Sequence, residues 1–264
     1  NLKHFHEHYR RTHEGVRSYT WVKNTLQSKG VITKGKRKGT YRKRRERAPL
    51  PGMLIHQDGS THQWVPGVYW DLIITMDDAT SRVYSCFFVE EEGTLSSFRG
   101  VRETITRHGL FSSFYSDRGS HYWLTPEAGG KVDKTRLTQF GRAMQQLGIQ
   151  MIPSYSPQAR GRSERLFKTL QGRLPQELAL QGIVDMAQAN RFLETEFLPA
   201  FNQRFQTSAR ESGTAFVPLL DTRPVSSNRA SGGQGQLCRL SRPKATTATG
   251  SVQWSLHPKQ GANT

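Results

Sequence analysis

The sequence is poor in cysteine, with only Cys86 and Cys238 in 264 residues. Cys86 lies in an apolar run and Cys238 in a polar tail, so the two are not expected to pair. A disulfide framework is thereby excluded, and a reducing compartment fits. No apolar run approaches the roughly 18 residues of a membrane-spanning helix, and no secretory signal is recognisable. A cytoplasmic protein with no membrane partner and no nucleotide cofactor is expected. The chain starts at Asn1 rather than Met and reads as a fragment. Hydrophobic residues are also scarce, at 34%, which implies solvated segments beside a real core.

Acidic residues are nearly missing from both ends. Residues 1–50 carry 15 Lys/Arg against 3 Asp/Glu, residues 51–217 carry 17 of each, and residues 218–264 carry 6 against 1. The net charge of +17 therefore sits on the flanks of a neutral core. This pattern is expected of a chain that meets a polyanion.

The organisation follows from composition and periodicity. Residues 1–31 read as two short helices, the second opened by Ser18 and closed by Gly30, and suggest a partial helix-turn-helix that meets DNA. His4, His6, His8 and His13 in this region have no nearby cysteine to complete a zinc site, so a solvated helix face is expected. Residues 32–50 form a linker whose Lys36, Arg37, Lys38, Arg42, Lys43, Arg44 and Arg45 are candidates to track phosphates. Residues 51–219 alternate strands and helices, an α/β layer pattern. Strands are expected at 53–58, 72–76, 83–89, 110–116 and 149–152. Helices are expected at 94–108, with Leu95, Phe98, Val101 and Ile105 on one face, and at 135–147. A long helix opened by Asp185 should kink at Pro199. Asp77 and Asp78 are read as turn residues with Arg82 as partner, Glu90–Glu92 as a solvated acidic corner, and 122–134 as a polar inserted loop. Residues 220–264 have the composition of a disordered basic tail.

Three carboxylates stand out. Asp58 in MLIHQDGS and Asp117 in FSSFYSDRGS end β-prone apolar runs, where an acid serves packing badly and a site well. The stretch YSPQARGRSERLFKTLQGRLP reads as a helix with Ser156 as N-cap and Pro157 in its first turn. Leu166, Phe167, Leu170 and Leu174 share its inner face, and Arg160, Glu164, Lys168 and Gln171 share a neighbouring one. On an ordinary surface helix Glu164 and Lys168 would be a simple i,i+4 pair. With Asp58 and Asp117 it completes an all-oxygen set able to hold two hard divalent cations, Mg²⁺ or Mn²⁺. Such a pair activates an attacking oxygen and stabilises a leaving one at a phosphodiester.

The order Asp58, Asp117, Glu164, with HQDGSTHQW, ITMDDATSR, YSDRGSHY and SPQARGRSERLFKTLQGRLP around it, resembles the DDE catalytic core of retroviral integrases and integrase-type transposases of bacterial insertion sequences. The resemblance covers roughly Met53 to Leu219. It implies a ribonuclease H-like mixed sheet, three antiparallel strands plus two further ones, flanked by helices. It also implies metal-dependent DNA cleavage and strand transfer by Asp58, Asp117 and Glu164 in a bacterial, nucleoid-associated homo-oligomer that joins element ends to target DNA. Arg160, Arg162 and Lys168 are the candidate phosphate contacts near the site, whereas Arg118 is expected to orient the Asp117 loop. In one respect the chain departs from the pattern. Many relatives have about 35 residues between the second Asp and the Glu, as the resemblance implies; here 46 intervene. Two other readings compete. A truncated, inactive remnant would only bind DNA, and a nuclease relative would act on RNA hybrids; the helix-turn-helix pattern favours duplex DNA.

Overall fold

The computed structural model describes residues 1–34, 45–127, 130–155 and 157–219, without the side chains of 157–160. The expectations for Lys36, Arg37, Lys38, Arg42, Lys43 and Arg44, the Ser156 cap, the Arg160 side chain, Cys238 and the tail 220–264 fall outside the described residues.

Runs of β-branched and aromatic residues build a five-stranded sheet. β1 (Leu54–Val65) and β2 (Val68–Asp77) form a hairpin closed by Pro66 and Gly67. Gly67 has φ of 78°, a left-handed conformation that a side chain would strain. β3 (Val83–Val89) lies antiparallel on β2. β4 (Ser113–Ser116) pairs parallel with β1, and β5 (Gln150–Pro153) pairs parallel with β4. The order β3-β2-β1-β4-β5, antiparallel on one side and parallel on the other, is the ribonuclease H-like arrangement. The first strand runs well beyond the expected end at Asp58, because pairing with β2 continues from Ile55 to Val65.

Helices cover both faces. α1 (Leu2–Thr12) and α2 (Tyr19–Ser28) precede the sheet, and Ser18 caps α2 by accepting from the Trp21 amide at 3.3 Å. α3 (Thr94–His108) and α4 (Gln139–Gln146) place Val101, Ile105, Phe140 and Met144 against Ile55 and Phe114 on one face. Leu95, expected to face inward, is exposed. It sits in the first turn of α3, ahead of the part that Val101 and Ile105 bury. α5 (Pro157–Gln171) and α6 (Leu174–Leu180) bring Leu166, Phe167, Leu170 and Leu174 to the other face, over Leu72, Ile74 and Phe88.

α7 (Met186–Phe192) passes through a π-helical turn at Leu193–Phe197 into α8 (Leu198–Phe205). The expected irregularity near Pro199 is thus a widened turn just before it. Proline has no N–H to bond back to the Thr195 carbonyl, and the wider turn absorbs the break.

Two carboxamides from these helices close the outer edge of β3. Asn190 Oδ1 accepts from the Phe88 amide at 2.6 Å while its Nδ2 donates to the Phe88 carbonyl at 3.1 Å. Asn202 does the same for Val83, at 2.9 and 2.8 Å.

The stretch read as a polar inserted loop is partly core. Tyr122 and Trp123 are buried, and an isolated bridge joins Leu124 to Asp133. α1 is likewise docked rather than solvated. Glu7 forms a two-pronged pair with Arg173, at 2.6 and 3.1 Å, and also meets Arg204. His4 is buried and His8 half-buried, whereas His13 is exposed. The expectation of a solvated histidine face therefore fails for His4 and His8, because α6 packs against them.

Candidate active site

Asp58 lies in β1 just past the last residue paired with β4. The parallel register runs Ile55 to Phe114 and His56 to Tyr115. Continued by two residues, it puts Asp58 level with Asp117, which follows β4 directly. Adjacent strands lie roughly 4.8 Å apart, so the chain at Asp117 leaves the sheet beside the strand that carries Asp58. Asp58 is 8% exposed. Asp117 is held by its own loop: its Oδ1 accepts from the Gly119 amide at 2.9 Å, and its carbonyl accepts from Ser116 Oγ at 2.9 Å. Trp123 Nε1 in turn donates to Ser116 Oγ at 3.0 Å.

Glu164 is exposed on α5. The apolar stripe of that helix faces the core, which turns Glu164, Lys168 and Gln171 along one flank. Gln171 Nε2 donates to Ser60 Oγ of β1 at 3.0 Å. The flank that carries Glu164 is therefore tied to the strand that carries Asp58. Lys168 is exposed on the same flank.

A fourth acid belongs to this neighbourhood and was missed in the sequence. The Glu92 carboxylate lies over Gly59, where a Cβ would collide with it; only glycine beside Asp58 admits so close an approach. Glu92 Oε1 stands 3.5 Å from His121 Nε2, and the Glu92 amide donates to Asp71 at 2.7 Å. Burial first, then the charges of Glu92, Asp117 and Asp58, push the Tyr122 hydroxyl well above the usual phenol range. One phenol thus feels three carboxylates. Its hydroxyl donates to Gln57 Oε1 at 2.8 Å, fixing the residue before Asp58. The signal for Glu92 was EEG before a helix, which is indistinguishable from a solvated turn without the tertiary contact.

Asp77 and Asp78 support the site from below. Asp77 caps its turn, accepting from the Gly52 amide at 3.0 Å and from the Thr80 amide and hydroxyl at 2.8 and 2.7 Å. Burial raises its carboxyl, partly offset by those bonds. Asp78 is fully buried and gathers His56 Nε2 at 2.7 Å, the Ala48 amide at 2.7 Å, Arg45 and Arg162. Burial opposes its ionisation, but the His56 hydrogen bond, the Ala48 amide and the His56 and Arg162 charges win, and its carboxyl titrates well below the usual range.

The partners of Asp78 are not Arg82, as expected, and two residues expected at phosphates are engaged here. Arg162 and Arg45 both point at Asp78, and Arg162 Nη2 also donates to the Arg45 carbonyl at 2.8 Å. A buried carboxylate must be compensated, and this demand takes both guanidinium groups. Arg118 donates to the Gly130 carbonyl at 2.7 Å and lies 5.3 Å over the Tyr155 ring, tying the Asp117 loop to its surroundings.

The arrangement can gather hard cations: its donors are carboxylate oxygens, two of them on rigid sheet elements. No family model matches the chain. A putative transposase, y4bF, of Sinorhizobium fredii is 34% identical over 194 residues, covering 72% of this chain and 41% of the relative. The transposase for insertion sequence IS1202 of Streptococcus pneumoniae is 32% identical over 168 residues, covering 64% and 36%. The chain thus spans about two fifths of the length of these curated relatives. Among solved structures, the simian T-cell lymphotropic virus intasome matches at 17% identity with a TM-score of 0.48, over 81% of this chain and 74% of that one. The HTLV-2 integrase catalytic core domain in complex with magnesium matches at 13% with a TM-score of 0.41, over 56% and 88%.

Proposed function

We propose that the chain, whose curated relatives are transposases, is an integrase-type DDE transposase that cuts and transfers DNA strands, with Asp58, Asp117 and Glu164 as the acids that hold the metal. The observation that carries this reading is that Asp58 on β1 and Asp117, directly after the parallel strand β4, both act on the Tyr122 hydroxyl, with Glu164 on the helix flank tied to β1 through Gln171 and Ser60. The donor set fits Mg²⁺ or Mn²⁺, in keeping with the magnesium of the HTLV-2 core. Two such ions, when bound, supply Lewis acidity to the attacking and leaving oxygens.

The chain's own residues do the rest. Tyr122 and Gln57 fix the strand at Asp58, and the Gly119 amide fixes Asp117. Lys168, and Arg160 eight residues before it in sequence, hold the phosphate backbone. The basic segment 36–44 tracks the DNA further out. Joining two element ends requires at least two copies, so the working form is a homo-oligomer at the bacterial chromosome. Among the described residues no helix is long and apolar enough to cross a membrane.

The test is nicking of supercoiled plasmid by the purified chain with Mg²⁺ or Mn²⁺. Glu164→Gln should fold, bind DNA and lose cleavage by about 1,000-fold or more. Strong cleavage by that variant would overturn the assignment of Glu164. A wild-type chain that binds DNA but never cuts it would overturn the catalytic reading in favour of a DNA-binding remnant.

A further inference from the structure

A second cluster of metal-ligating side chains lies away from the three acids. His4 and His8 are one turn apart on α1, so their rings leave the same face of the helix. Both meet Glu177, in the first turn of α6. His4 Nε2 is 2.7 Å and His8 Nε2 3.0 Å from Glu177 Oε1, and the two Nε2 atoms are 3.2 Å apart. The three ligand atoms thus form a small triangle, and the residues qualify together as a metal-holding group.

The dimensions favour zinc. A tetrahedral ion with bonds of about 2.0–2.1 Å separates its ligand atoms by about 3.3 Å. The observed edges of 2.7, 3.0 and 3.2 Å fall short by at most about 0.6 Å of that separation, so side-chain rotations open the triangle enough. Two imidazoles and one carboxylate suit Zn²⁺ and not Mg²⁺ or Ca²⁺, which take oxygen sets. The rings meet edge to face, with centroids 4.7 Å apart and planes at 89°, as two ligands of one tetrahedral centre can. The His8 and Glu177 side chains keep 19% and 20% of their surface exposed, which leaves an approach for the ion and a fourth position for water. Metal at Nε2 requires the ring proton on Nδ1. For His8 this displaces the Arg11 guanidinium, which stands 3.4 Å from Nδ1 and belongs to an exposed side chain free to swing away.

We infer that His4, His8 and Glu177 form a zinc site that staples α1 to α6. This site goes beyond the strand-transfer reading and does not depend on it. Its ligands come from residues 4, 8 and 177, so the ion would join the N-terminal helices to the catalytic core across most of the described chain. The neighbouring pair of Glu7 and Arg173 already sets α1 against the same end of α6. Zinc would make that docking tight and dependent on metal supply.

The experiment uses the full chain, stripped with chelator and titrated with ZnCl₂ against a chromophoric competitor, with Co²⁺ as a spectroscopic probe. One Zn²⁺ per chain is expected at this site, with a tetrahedral cobalt absorption. The melting temperature should rise by several degrees with zinc. His8→Ala and Glu177→Gln should weaken binding by roughly 100-fold or more, beyond the effect usual for an outer-shell partner, and remove the thermal response. His13→Ala, at an exposed histidine, should bind zinc as the wild type does. Should His8→Ala fail to fold, Glu177→Gln decides, since it keeps the side-chain volume and an acceptor for the imidazoles. Wild-type binding no tighter than that of Glu177→Gln, or no tight zinc at all, would overturn the site and leave a simple imidazole–carboxylate cluster.

Discussion

Arg162 reaches from α5 to donate to the fully buried carboxylate of Asp78 at the end of β2. The contact links the helix of the third acid to the sheet of the first two, and Arg162 itself is only 16% exposed. Arg162 is thus engaged within the fold, while Lys168 on the same helix is exposed.

Arg162→Met should lower stability by about 2 kcal/mol, less than the 3–5 of a fully broken buried pair because His56 and Arg45 remain on Asp78. Lys168→Ala should leave stability unchanged and lower DNA affinity, with a salt slope shallower by about one. Urea unfolding and salt-dependent DNA titration measure the two effects. A stable Arg162→Met chain with weakened DNA binding would reverse the assignment.

Acid should loosen the same hub. The Asp78 carboxyl is depressed in the folded chain, so its contribution is fully present above the ordinary Asp value of about 3.9 and is lost as pH falls from there through the folded value. The wild-type melting temperature should drop more steeply below about pH 4 than that of Asp78→Asn, which begins lower but lacks this titration. Parallel curves would mean that other carboxylates govern acid unfolding.

Tyr122→Phe should cost about 1–3 kcal/mol, because Gln57 Oε1 would lose the phenol hydrogen bond while buried. Thermal melts of the two chains suffice. A neutral outcome would show that the segment after Asp117 is not anchored through this bond.

Replacing Lys36, Arg37, Lys38, Arg42, Lys43 and Arg44 together with alanine should reduce the slope of log affinity against log salt by up to about 5, at about 0.9 per phosphate released. Cutting the chain at residue 50 would be a poorer experiment. It would also remove Arg45, Ala48 and the docked α1, and so confuse DNA contact with folding.

Periodicity and local chemistry made much of this legible. The apolar spacing of Val101 and Ile105, and of Leu166, Phe167 and Leu170, predicted buried helix faces, and the motifs around Asp58, Asp117 and Glu164 singled out the acids proposed to hold the metal. What stayed hidden was tertiary pairing. Asp78 meets His56 and Arg162 across 22 and 84 residues, and no local spacing encodes either choice. Tyr122 and Trp123 stood in a Gly-containing polar stretch, and composition outweighed two aromatic rings. His4 looked solvated because its cover, Glu177, lies 173 residues away. Glu92 resembled a turn because only the missing side chain of Gly59 reveals its direction.

The carboxamides of Asn190 and Asn202 carry a consequence for assembly. Each occupies both the amide and the carbonyl of one β3 residue, as a short length of neighbouring strand would. An incoming strand, whether from a second copy or from a misfolded chain, would have to strip four hydrogen bonds before forming its own. The sheet is thus barred from growing past β3 at these residues, and any pairing of copies would have to use a different surface. Alanine at both asparagines would remove that barrier and expose the chain to edge-to-edge aggregation.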